Sequence, residues 1–170
     1  STLLLLISSV LLLAIARAQK NHKFYYHWIL LACIFVFIAM DEAFTIHETL
    51  IPIFRDLLNT SGIFRFAWVI PYGIALMVLV LLYSTFIFSL PNPIQKWFLI
   101  AGTLYVSGAI LMELVGGYFF EVCGGRCLLY QVSVLIEENL EMVGLSLFIF
   151  SLTLYFTRYL DNSQITMTSN

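Results

Sequence analysis

Between Phe66 and Leu90 the chain runs 25 positions without one Asp, Glu, Lys, Arg or His. A helix rises about 1.5 Å per residue, so about 20 residues cross a hydrocarbon core of about 30 Å. The whole composition agrees with that run: 61% of residues are apolar and 11% charged, against about 25% charged in an ordinary soluble domain. Mean hydropathy is +0.96. A water-soluble fold of 170 residues has too little interior to hide so much apolar surface. A soluble enzyme, a nucleic-acid binder and a disordered linker are excluded, and a net charge of −2 leaves no basic footprint for nucleic acid. The chain reads as an integral membrane protein whose first partner is the lipid bilayer.

Five stretches have the length and composition of spans: 2–16, 26–49, 66–90, 97–119 and 128–159. Turn signals separate them, at Gln19-Lys20-Asn21, Asn59-Thr60-Ser61-Gly62, Pro91-Asn92-Pro93 and Gly124-Gly125. The expected fold is all-α, a polytopic transmembrane helical bundle of about five spans forming one membrane domain over 1–170. Leu3 to Ala16 followed by Ala16-Arg17-Ala18 also has the form of a signal peptide's apolar region and cleavage site. It is read here as a retained helix.

Arg17, Lys20, Lys23, Lys96 and Arg158 fall on one side, and Arg55, Arg65 and Arg126 on the other. The richer side is cytoplasmic by the positive-inside rule, which puts the N-terminus outside and the C-terminus in the cytoplasm. The outer side then carries Cys123 and Cys127, spaced for a short disulfide in an oxidising compartment. Cys33 falls mid-span and is read as packing.

The acidic residues are the most informative. Of ten, only Asp161 falls on the inner side. Counted from the inner rim, Asp41 is 14 residues past His27, Glu113 is 17 past Lys96 and Glu141 is 17 before Arg158. Those spacings put three carboxylates at about 21 to 25 Å, still inside the core. A second layer about one turn higher holds His47 and Glu48 opposite Glu137 and Glu138. On the fourth span Gly102, Ala109, Glu113 and Gly116 form a stripe of small residues that turns Glu113 toward the bundle. The third span, lacking charge, is expected to face lipid or a partner, with a kink at Pro71. An ionised carboxylate in hydrocarbon costs about 2.5 kcal/mol or more. The group therefore has to hold protons or a cation, or stand in water at the headgroup level.

Asp41, Glu42, His47, Glu48, Glu113, Glu137, Glu138 and Glu141 are thus the candidate ligands for a divalent metal ion. Carboxylate di-iron proteins use Glu with Glu-x-x-His on facing helices; here the carboxylates suffice, but there is no Glu-x-x-His and one nearby His. The segment Met40-Asp-Glu-Ala-Phe-Thr-Ile-His-Glu48, with Glu137-Glu-Asn-Leu-Glu-Met142, resembles a pattern in multi-pass bacterial membrane proteins. That resemblance implies only that the Asp-Glu and His-Glu pairs act as a unit, and it carries no activity.

Three functions fit these features. The first is a non-catalytic accessory subunit of a larger photosynthetic or respiratory membrane complex, in contact with other membrane subunits and with bound lipid or pigment. Short loops and 16% aromatic residues suit such contacts. The second is a membrane-embedded carboxylate-bridged di-metal oxidoreductase. The third is a proton- or cation-coupled carrier, which five spans without an internal repeat disfavour.

Overall fold

The computed structural model describes residues 1–161, and all its regular structure is helical. Helix α1 covers Thr2–Ala18, α2 Tyr25–Phe44, α3 Ile46–Leu58, α4 Val69–Ser89, α5 Asn92–Cys123 and α6 Leu128–Leu160. Among them α2, α4, α5 and α6 are long and apolar enough to cross a membrane. Helix α1 is apolar but has 17 residues. Among the described residues the chain is an all-helical bundle of four such helices with one shorter apolar helix beside them, as a membrane protein requires. Residues 162–170, where the cytoplasmic C-terminus was expected, lie outside the described residues.

The stretch 26–49, expected as one span, is two elements. Helix α2 stops at Phe44, and Thr45 takes a left-handed conformation at φ 47° before α3 begins. A β-branched residue adopts that conformation only under compulsion. The compulsion is local: the Asp41 carboxylate accepts the backbone N–H of His47, a donor that the first turn of α3 leaves without an intrahelical partner. The apolar pattern runs on past Thr49, so hydropathy alone does not reveal this corner. Helix α3 buries none of its residues, and Ile53 and Leu57 on it are exposed.

At the end of the bundle that includes the α1–α2 and α4–α5 connections, the helices pack solidly. Leu12, Ile15, Trp28, Phe86, Ile94, Phe98, Leu152 and Tyr155 form a continuous buried core. Gln19 ties it together, donating to the Tyr155 hydroxyl at 2.8 Å and accepting from Trp28 Nε1 at 2.9 Å. The Tyr83 hydroxyl donates to the His27 carbonyl at 2.9 Å, fastening α4 to α2. Close approach of α5 and α6 depends on Gly144: a Cβ there would lie 2.7 Å from the Tyr105 nitrogen and 2.9 Å from the Ala101 carbonyl oxygen.

Two details differ from the sequence reading. Pro71 stands in the first turn of α4, where its missing N–H costs no intrahelical bond, so it is no reason for a kink. Cys33 is exposed on the outer face of α2 instead of packed inside.

Candidate functional site: an acidic cavity among four long helices

Opposite the packed core, the bundle opens into a cavity of 340 Å³. Asp41 and Glu42 of α2, His47 of α3, and Glu137 and Glu141 of α6 all line it. Trp68, Tyr72 and Tyr105 complete the polar end. The remaining wall is aliphatic or aromatic, from Ile34, Phe37 and Ile38 through Leu76 and Leu79 to Ile110. No Lys or Arg side chain is among the lining residues.

Asp41 is the fixed point of this end. It is 5% exposed and accepts three hydrogen bonds. The His47 backbone N–H donates to Oδ1 at 2.9 Å, His47 Nδ1 contacts Oδ2 at 2.9 Å, and the Tyr72 hydroxyl donates to Oδ1 at 3.0 Å. The Nδ1 edge of the His47 ring is thereby turned onto Asp41. Trp68 stacks obliquely on His47, ring centroids 4.7 Å apart, and meets Tyr72 edge-on at 4.9 Å. Its Nε1 donates to Glu113 at 3.0 Å.

Glu113 therefore stands behind Trp68, outside the lining itself. The offset has a cause in the backbone. Residues Ser107–Met112 form a π-helical turn in α5, whose wider turn shifts the register of everything after it. The stripe of Gly102, Ala109, Glu113 and Gly116 assumed a uniform helix. Across the π turn it breaks: Gly102 faces open space, Ala109 lines the cavity, and Gly116 packs toward Ser133. Gly108 inside the turn brings α5 against α6, where a Cβ would lie 2.9 Å from the Glu137 carbonyl oxygen and 3.0 Å from Glu141 Cγ.

Glu141 is buried, with Ser1 adjoining it. Glu48 and Glu138 are exposed and do not line the cavity. The two layers expected from helical rise are thus merged, because the corner at Thr45 folds His47 back onto Asp41 instead of carrying it a turn higher. Among the described residues, no three His, Cys, Asp or Glu side chains form a group arranged to hold a metal ion.

Trp68 and Tyr72 were missed in the sequence because the third span was judged by charge alone. Each supplies a hydrogen-bond donor that no count of ionised residues registers. Farther out on the same side, Arg65 lies over the Phe120 ring at 4.5 Å and pairs with Glu121 at 3.7 Å. Cys123 and Cys127 are joined by a disulfide with Cα atoms 5.6 Å apart.

A family model described as Domain of unknown function (DUF8692) matches residues 1–156. The chain belongs to this family. The matched region takes in every residue that lines the cavity. No curated protein and no solved structure matches the chain.

Proposed function

We propose that this is a non-catalytic integral membrane protein, an accessory component of a larger membrane assembly, whose carboxylate–histidine cavity binds a cation. One observation carries the reading: Asp41, Glu42, Glu137, Glu141 and His47 line a single cavity whose lining has no Lys or Arg. Carboxylates withdrawn from water need compensation, and a bound cation supplies it most directly. With α1 as a fifth span, the cavity belongs to the outer half of the bilayer and the N-terminus to the outside. The accessory role is supported by the short connections between helices, which leave little chain for an extramembrane domain.

The test is thermal unfolding of the purified protein in phosphatidylcholine nanodiscs, with ammonium, methylammonium, Mg2+, Ca2+ and Mn2+ added in turn. At least one cation is expected to raise the midpoint of the wild type and to leave the Glu137→Gln/Glu141→Gln variant unmoved. A wild type indifferent to every cation overturns cation binding. After mild extraction the chain is also expected to migrate within a larger complex, and migration alone counts against the accessory role only.

A further inference from the structure

The cavity is far larger than a bare ion needs, and its chemistry changes along its length. Ile34 precedes Asp41 by seven residues on α2, and Leu79 follows Tyr72 by seven on α4. Seven residues of helix span about 10 Å. All four side chains line the same space, so it runs from a carboxylate end to an apolar end about 10 Å deeper along the two helices.

We infer that the occupant is a single-chain amphiphile with a primary ammonium head and no anionic group, entering from the bilayer past the middle of α4. This rests on the cation-binding reading and specifies the cation. The acceptors suit such a head. Asp41 is already engaged by His47 and Tyr72, which leaves Glu42, Glu137 and Glu141 to face the ligand. An ammonium offers three donors and no acceptor. A phosphate beside the ammonium would meet these carboxylates with like charge, which rejects zwitterionic phospholipids. A volume of 340 Å³ is at the small end of ligand cavities, which run from about 300 to 1,000 Å³, and suits one chain better than two. A metal ion would leave the apolar end empty.

The entry route follows from how α4 is held. Its buried residues are Val69, near one end, and Tyr83 and Phe86, near the other. Between them Leu76 and Leu79 line the cavity, while Ile74 is 61% and Met77 67% exposed on the outer side. A helix pinned at its ends and backed by a cavity at its middle is a side wall that a ligand dissolved in the bilayer can pass.

The experiment is saturation binding of tritiated dodecylamine to the protein in phosphatidylcholine nanodiscs, with empty nanodiscs subtracted. Saturable binding of one molecule per chain is expected. Glu137→Gln/Glu141→Gln should weaken it at least tenfold, and so should Leu79→Trp, which adds bulk at the apolar end, about 10 Å along the helix from the carboxylates. Dodecanol should compete at least tenfold less well than unlabelled dodecylamine. Binding lost in the Gln variant, unchanged in Leu79→Trp and displaced by methylammonium would overturn the amphiphile and leave cation binding intact. Equal competition by dodecanol, or no effect of the Gln substitutions, overturns both. Should Leu79→Trp not fold, competition by hexylamine on wild-type protein decides. At equal concentration in the bilayer it should be at least tenfold weaker than dodecylamine, and equal potency removes the role of the tail.

Discussion

Asp41 holds His47 twice, accepting its backbone N–H on one carboxylate oxygen and meeting its ring Nδ1 with the other, both at 2.9 Å. The same carboxylate therefore stands at the end of α2, at the start of α3 and against the ring of the one histidine that lines the cavity. Structure and chemistry share one side chain here. Its removal should be felt more than that of any single partner.

Asp41→Ala is expected to destabilise the protein by about 3 kcal/mol, since three donors lose a charged acceptor in a buried setting. Tyr72→Phe removes one of those bonds and should cost about 1 kcal/mol. Denaturant unfolding in a fixed detergent, followed by circular dichroism, gives the order. Equal losses would mean that Asp41 does not organise the corner.

Thr45 is a β-branched residue at φ 47°, a conformation that glycine adopts without penalty. Thr45→Gly should therefore raise stability by about 1 kcal/mol, and Thr45→Val should lower it. A thermal midpoint that falls in Thr45→Gly would contradict a left-handed corner at this position.

Gly144→Ala forces a Cβ against the backbone of α5 at Tyr105 and Ala101, which cannot step aside as a side chain would. The expected cost is about 2 kcal/mol, in the range of overpacked cores. Gly102→Ala meets nothing within 4 Å and should be neutral or slightly stabilising through helix propensity. Thermal unfolding of the two variants side by side checks the α5–α6 contact.

Reduction of Cys123–Cys127 should have a limited effect. The ring spans five residues, and loop-closure entropy for so short a ring is about 2 kcal/mol. Alkylation under native, non-reducing conditions should leave both thiols unmodified in mass analysis. Two alkylated cysteines would remove the bridge.

Much of this architecture is legible in sequence because lipid leaves few options. Long apolar runs bounded by Asn, Pro and Gly mark α4, α5 and α6 to within a few residues. Counting helical rise puts Asp41, Glu113 and Glu141 in one layer and Glu137 a turn higher; Asp41, Glu137 and Glu141 line the cavity, and Glu113 does not. What counting cannot register is any departure from the uniform helix. The corner at Thr45 moves His47 toward Asp41, and the π turn at Ser107–Met112 sets Glu113 behind Trp68. The first rests on a hydrogen bond from a carboxylate six residues upstream, and the second lies where Gly108 packs against α6. Trp68 and Tyr72 escaped for a simpler reason: in hydrocarbon a neutral donor can matter as much as a charge, and hydropathy scores it as apolar or nearly so.

The account depends on Glu42, Glu137 and Glu141 sharing a secluded cavity instead of standing solvated at the membrane rim. Carbodiimide labelling with peptide mapping tests this most directly, using a lipid-soluble reagent and a water-soluble one on the protein in nanodiscs. The lipid-soluble reagent is expected to modify these three glutamates, and the water-soluble reagent to modify Asp56 and Glu121 while sparing them. Labelling of all five carboxyls by the water-soluble reagent at similar rates would contradict the cavity.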